Sequence, residues 1–242
     1  MLLFENVHKS YQLGTQHVLA LRGLDLRIDE PGFFAVMGRS GSGKSTFLHL
    51  AAGLDRPESG RVVVDNEDLS KMSDAKLTNF RRGRLGIVFQ KFNLISTMTA
   101  YQNAALPAVI DNRPRAWIDA RVGELFKALE IGDRAHHRPD AMSGGEQQRV
   151  AIARAMLFKP AVLLADEPTG NLDSTNSERL WKLLGALADQ QQMTVIMVTH
   201  EAAAAAHCRR VFVIADGKNT GQFEVNGLDQ VGVASRYQQL GG

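Results

Sequence analysis

The chain has 242 residues, with 28 Lys and Arg against 26 Asp and Glu for a net charge of +2, and 44% of it is hydrophobic; this is the composition of an ordinary globular protein of one large domain or two small ones. The near-neutral balance argues against nucleic acid as the main partner, which a strong basic excess on one face would announce. The single cysteine, Cys208, excludes an intrachain disulfide and fits a reducing compartment, and no stretch approaches the roughly 18 consecutive apolar residues of a membrane-spanning helix.

In chain order, β-type runs over 2–11 and 18–29 flank the turn-like Leu13-Gly14-Thr15 and predict antiparallel strands. The first run carries Glu5 and lacks a basic region followed by a long apolar stretch, so it does not read as a secretory leader. Residues 32–38 form a compact apolar run of the kind that is buried on both faces of a sheet, followed by a glycine-rich turn and a helix over about 44–53. Strands are predicted over 61–65 and 85–90. From 91 to 159 strand signals stop and apolar residues recur at helical spacing, as at Val122, Leu125, Phe126 and Leu129. Alternation of strand and helix resumes with 161–166, a helix around 177–190, and strands over 194–199 and 209–215.

The expected organisation is a single α/β domain over 1–242. Its core, with an N-terminal antiparallel β subdomain, comprises 1–90 and 160–225; an α-helical subdomain over 91–159 is inserted, and 226–242 is a tail. Within that tail, 232–237 reads as a short terminal helix packed on the core or as a frayed end.

Gly38-Arg39-Ser40-Gly41-Ser42-Gly43-Lys44-Ser45 fits the pattern G-x-x-x-x-G-K-[ST] between a buried strand and a helix. Glycines let backbone N–H groups turn inward around a phosphate, and the helix N-terminus aims its partial positive charge at the same anion. Lys44 is placed to reach the β- and γ-phosphates, the Ser45 hydroxyl to ligate Mg²⁺, and Thr46 to add a bond to the α-phosphate; Arg39 and Ser42 help to line the loop. The ligand class is ATP or GTP.

A phosphate-loop enzyme also needs a carboxylate for the metal shell and a group that positions water. Val162-Leu163-Leu164-Ala165-Asp166-Glu167 supplies both: four apolar residues bury the strand beside the phosphate-loop strand, Asp166 stands at its carboxyl end, and Glu167 is the candidate base. Lys44 and Asp166 lie 122 positions apart, which requires an insertion between them. Inside it, Ser143-Gly144-Gly145-Glu146 opens a helix and forms a second anion cradle.

At Met142-Ser143-Gly144-Gly145-Glu146 the sequence resembles the ATP-binding subunits of ABC transporters, whose signature is usually written Leu-Ser-Gly-Gly-Gln. The resemblance covers nearly the whole chain and implies a P-loop NTPase core of RecA-like type. It makes Gln90 a contact to Mg²⁺ and to a membrane subunit, and Asp173 of Asn171-Leu172-Asp173 a residue of the dimer interface. It makes His200 a γ-phosphate contact and Tyr11 the ring that stacks on adenine. It implies a head-to-tail homodimer in which Ser143, Gly144, Gly145 and Glu146 face the partner's ATP. It further implies a permease on another chain and a cytoplasmic place on the inner face of the membrane. The stretches Asn93-Leu94-Ile95-Ser96 and Gln102-Asn103-Ala104-Ala105-Leu106-Pro107 are similar to subunits of lipoprotein-releasing and macrolide-type exporters. The alternative is an ATPase whose membrane partner transmits force to a cell-wall enzyme. A small-molecule kinase would have no use for the signature.

Overall fold

The computed structural model describes residues 1–241; Gly242, the end of the expected tail, lies outside the described residues. Strands β1 (Leu2–Leu13) and β2 (Gln16–Ile28) form the expected hairpin, paired antiparallel from Leu2↔Ile28 to Leu13↔Gln16. Strand β3 (Gly32–Met37) is buried at every position and runs into helix α1 (Lys44–Ala51). Strands β4 (Ser59–Val64) and β5 (Glu67–Asp68) join the hairpin in a four-stranded sheet of order β2-β1-β4-β5.

Helix α2 (Asp74–Arg84) is capped by Ser73, which accepts from the Lys76 N–H, and it leads into β6 (Leu85–Val88). The next stretch holds α3 (Ala100–Ile110), α4 (Arg115–Ala128) and α5 (Gly144–Ala155). Then come β7 (Val162–Asp166), α6 (Ser174–Gln191), β8 (Thr194–Thr199), α7 (Ala202–Ala205), β9 (Arg210–Ala215), β10 (Lys218–Glu224) and α8 (Gln230–Gln239).

The second sheet has six strands in the order β10-β9-β3-β8-β7-β6, parallel except for β10 at one edge. Alternation along β3 divides the core. Phe33, Ala35 and Met37 join the cluster built with α3 to α6, while Phe34 and Val36 join the one built with α1 and the small sheet. In the latter, the Phe4 and Phe47 rings lie 4.7 Å apart.

The α/β class and the N-terminal antiparallel sheet are as expected, but three details differ. The Asp166 strand does not lie beside the phosphate-loop strand, because β8 pairs with both β3 and β7. The residues of β8 are all buried, so the run over 194–199 fills the centre of the sheet. Strand β6 ends at Val88, and Gln90 stands in the following turn, where the Phe92 N–H donates to the Phe89 carbonyl. The segment after Gly217 folds into β10, a strand that was not expected, and α8, the helical one of the two readings of 232–237. Among the described residues no helix is long and apolar enough to cross a membrane.

One buried amide organises the chain that leads into α3. Asn103 is fully buried; its Oδ1 accepts from the Ile95 N–H at 2.7 Å, and its Nδ2 donates to the carbonyls of Ile95, Met98 and Thr99 at 3.0 to 3.2 Å. Removing it takes the acceptor from the Ile95 N–H and the donor from the Met98 carbonyl, while the Ile95 and Thr99 carbonyls keep the Met98 and Asn103 N–H groups. Asn103→Ala is expected to lower the unfolding free energy by about 2 kcal/mol in urea melts and to speed protease cleavage within 93–99. Unchanged stability and cleavage would contradict this role.

Candidate active site

The phosphate loop leaves β3 at the carboxyl edge of the large sheet. Gly43 precedes α1 at φ 109° and provides no side-chain cap, so the first N–H groups of the helix remain available to a ligand. A β-carbon on Gly43 would stand 2.6 Å from the Ala20 carbonyl oxygen, and one on Gly38 would stand 2.3 Å from that of Ile214. The loop is thus pressed between β2 and β9, and both positions demand glycine. The buried Lys44 bends over the loop, donating from Nζ to the Gly38 and Arg39 carbonyls at 2.8 Å each. Burial draws its pKa down, against the pull of the Glu167 and Asp166 charges.

The loop forms one wall of an open cleft of about 610 Å³, to which Gly38, Arg39, Ser40, Gly41, Lys44 and Ser45 contribute. That volume lies within the range of small-ligand sites, about 300–1,000 Å³. Ser42 and Gly43 do not line the cleft; Ser42 is buried beneath it, where its N–H donates to the Arg39 carbonyl at 3.1 Å.

The opposite wall comes from the ends of β6, β7 and β8. Burial raises the Asp166 pKa, and the Glu167 charge adds to the rise. Two adjacent carboxyl groups partly out of water are an arrangement that a divalent cation relieves. Ser45, Gln90 and Asp166 offer hard oxygen atoms that suit Mg²⁺ when phosphate and water complete the shell. Among the described residues no three His, Cys, Asp or Glu side chains converge on a metal position of their own.

Glu167 adopts φ 40°, a left-handed conformation uncommon for a side chain of its kind, with its N–H bonded to the Val198 carbonyl at 2.9 Å. In this setting one carboxylate oxygen lies 2.8 Å from His200 Nδ1, and the other accepts from Gln90 Nε2 at 3.4 Å. Gln90 is itself held, since Asn171 Nδ2 donates to its carbonyl at 2.7 Å. A β-carbon at Gly170 would crowd the Gln90 amide at 2.7 Å.

Tyr11 does not line the phosphate cleft. It borders a second cavity of about 460 Å³ with Ser45, Thr46, His49, Leu54 and Asp55. Its hydroxyl donates to Asp55 Oδ2 at 2.9 Å, and Lys9 Nζ sits over the ring at 5.2 Å from the centroid. Ser45 borders both cavities, so a single ligand spanning them would meet the phosphate loop at one end and this tyrosine at the other.

The second cradle lies apart. Ser143 caps α5 in a closed capping box: its Oγ accepts from the Glu146 N–H at 3.3 Å and donates to Glu146 Oε2 at 2.9 Å, and that same oxygen accepts from the Ser143 N–H at 2.8 Å. The glycines are packed within the chain, since β-carbons at Gly144 and Gly145 would approach the Asn171 carbonyl and the Asn176 side chain at 3.2 and 3.3 Å. Asp173 caps α6, accepting from the Asn176 N–H at 2.9 Å. None of Ser143, Gly144, Gly145, Glu146 or Asp173 lines the phosphate cleft.

Three further residues carry no motif in the sequence. Arg134 Nε donates to Glu146 Oε1 at 2.5 Å, so the carboxylate at the end of the signature is neutralised from outside its helix. Arg154 of α5 donates to the Phe92 and Asn93 carbonyls at 2.7 and 2.6 Å, holding two consecutive left-handed residues just after Gln90. A lone charge ending the apolar run 150–153 is the one hint of Arg154 that the sequence offers. Tyr237 of α8 lines the phosphate cleft. Nothing in the local pattern around Arg134 or Tyr237 marks either.

Residues 21–170 match the ABC transporter family. The lipoprotein-releasing system ATP-binding protein LolD of Syntrophotalea carbinolica is 44% identical over 221 residues, covering 91% of this chain and 97% of that protein. The uncharacterized ABC transporter ATP-binding protein MJ0796 of Methanocaldococcus jannaschii is 40% identical, over 95% of this chain and 99% of its own. Among solved structures, the dimeric post-hydrolysis state of the MJ0796 cassette bound to ADP and Pi superposes with a TM-score of 0.86 at 39% identity, covering 93% of this chain and 99% of that one. The structure of cbiO1 from Clostridium perfringens gives 0.85 at 30% identity, over 98% and 92% of the two chains. The P-loop core expected from the sequence is the fold that these cassettes share.

Arg134 holds the Glu146 carboxyl at about 2, against an ordinary value of 4.5. A pKa lowered by folding adds stability that is fully present above pH about 4.5 and is lost as pH falls toward about 2. Arg134→Ala is therefore expected to lower the urea midpoint at pH 7, with a deficit against the wild type that shrinks as pH falls from 4.5 toward about 2. A deficit independent of pH would mean that Arg134 acts through packing alone.

Proposed function

The chain belongs to the ABC transporter family of ATP-binding subunits, and from that premise we propose that it energises an export complex in which two copies close head to tail on ATP and drive a permease made by another chain. It is an ATPase. The observation that carries the dimer reading is a cleft with one phosphate wall and one water-side wall but no contact to the signature of its own chain. A two-fold axis would bring the signature of each copy over the cleft of the other. The dimeric MJ0796 cassettes support this arrangement. The lipoprotein-releasing system in the name of the 44% identical relative supports the export reading, and with it a position on the inner face of the cell membrane.

In this reading the loop N–H groups and Lys44 bind the β- and γ-phosphates, and Tyr11 bounds the adenine end. Ser45, Gln90 and Asp166 would hold Mg²⁺, which when bound neutralises charge on the phosphate oxygens. Glu167 orients a water molecule in line with the γ-phosphorus and accepts its proton. The water oxygen bonds to phosphorus as the bond to the ADP oxygen breaks, releasing ADP and phosphate. His200 keeps the Glu167 carboxylate in place and contacts the γ-phosphate. Ser143, Gly144, Gly145 and Glu146 reach that phosphate from the partner, and Asp173 lies at the interface.

Glu167→Gln keeps the size of the side chain and removes the proton acceptor. It is expected to retain ATP binding, lose about 100-fold or more of turnover, and accumulate an ATP-bound dimer in size-exclusion chromatography. Undiminished hydrolysis would remove Glu167 from the proton-accepting role.

A further inference from the structure

The C-terminal helix brings a side chain into the phosphate cleft that neither the motifs nor the mechanism above uses. Tyr237, on the last turn of α8, lines the cleft together with Arg39, Ser40, Gln90, Glu167 and His200. These neighbours hold phosphate, metal or water, and the Tyr11 end has a cavity of its own, so Tyr237 enters at the phosphate end.

Its position is built into the fold. Asp229 caps α8 by accepting from the Gly232 N–H at 2.8 Å, and Val233 is fully buried in the core cluster that includes α7. At the far end Leu240 packs on Gly221 of β10, where φ is +158° and a β-carbon would come within 2.8 Å of Leu240 Cδ2. Gly241 then borders a smaller cavity on the other side of the phosphate loop with Arg39, Ser40, Gly41 and Ser42. Tyr237 and Gly241 therefore each line a cavity that the phosphate loop also borders. Burial raises the Tyr237 phenol, with Arg39 as the opposing influence, so at neutral pH the group is a hydrogen-bond donor. Among the described residues the Tyr237 hydroxyl has no hydrogen-bond partner, and the Glu167 carboxylate that shares the cleft is engaged by His200 and Gln90, which leaves the hydroxyl free to meet an acceptor on a ligand.

We propose that Tyr237 is a nucleotide-contacting residue whose hydroxyl donates to an oxygen of the γ-phosphate, which makes the C-terminal helix part of the ATP site. The proposal rests on the reading of the cleft as that site. It predicts discrimination between nucleotides, because ADP lacks the acceptor while the ring and its packing are kept in Tyr237→Phe.

The test measures ATP and ADP affinity of Tyr237→Phe against the wild-type residue by calorimetry, both in the Glu167→Gln background so that ATP persists. Removal of one hydrogen bond to a charged oxygen is expected to weaken ATP binding roughly tenfold, leaving ADP affinity within about twofold and the thermal midpoint unchanged. ATP affinity within about twofold of the Tyr237 protein, or equal losses for ATP and ADP, would overturn the proposal. If the Tyr237 protein itself bound neither nucleotide, the reading of the cleft would fall first, an outcome distinct from a failure at Tyr237 alone.

Discussion

A parallel sheet covered on both faces leaves chemistry only at its edges, and the site depends on that constraint. Phe33, Ala35 and Met37 are sealed by the helices on one side, and Phe34 and Val36 by α1 and the small sheet on the other. Backbone groups inside the sheet are taken up by its ladders, so free N–H groups and polar side chains gather where the strands end. Because β3, β6, β7 and β8 run the same way, their carboxyl ends deliver the phosphate loop, Gln90, Asp166 with Glu167, and His200 to one cleft. Residues far apart in the chain meet without any local sequence signal that they should.

Within that cleft and beyond it, charge is arranged so that little stands alone. Lys44 is pulled between burial and the two carboxylates, and Glu167 is held by His200 and Gln90. Outside the cleft, Arg134 offsets the charge of Glu146. Arg154 ties the turn after Gln90 to α5, the helix that Ser143 caps. Burial lowers the Arg154 pKa, and a rotation of α5 must carry that turn with it or break two hydrogen bonds from a half-buried guanidinium. The turn beside the cleft and the helix of the second cradle are thus joined within one chain.

Contiguous motifs were legible in the sequence because their chemistry is local: glycines that admit a phosphate, an apolar run ending in acids, a serine and glycines opening a helix. The antiparallel hairpin and the buried strands were legible from their apolar patterns. The place of β8 between β3 and β7 was not, since several buried apolar strands look alike until their pairing is known. Helix α2 buries only Leu77 and Phe80, too little periodicity to announce it. Strand β10 is an edge strand of alternating partial exposure with few large apolar residues, so no strand was expected after 215. Arg134 meets Glu146, and Tyr237 reaches the cleft, only through the fold, so neither had a spacing to betray it.

On the proposed reading, the phosphate loop of one copy meets the signature of the other only across a dimer formed on ATP. The most direct measurement of this is disulfide trapping in a protein carrying Ser40→Cys, Ser143→Cys and Glu167→Gln, in which the natural Cys208 is buried and out of reach of an oxidant. With ATP and mild oxidation the expected product is a covalent dimer in which the thiol introduced into the phosphate loop of one copy is joined to the thiol introduced into the signature of the other, and no such dimer forms with ADP. A bond formed within one chain, or a dimer that forms equally with either nucleotide, would contradict it.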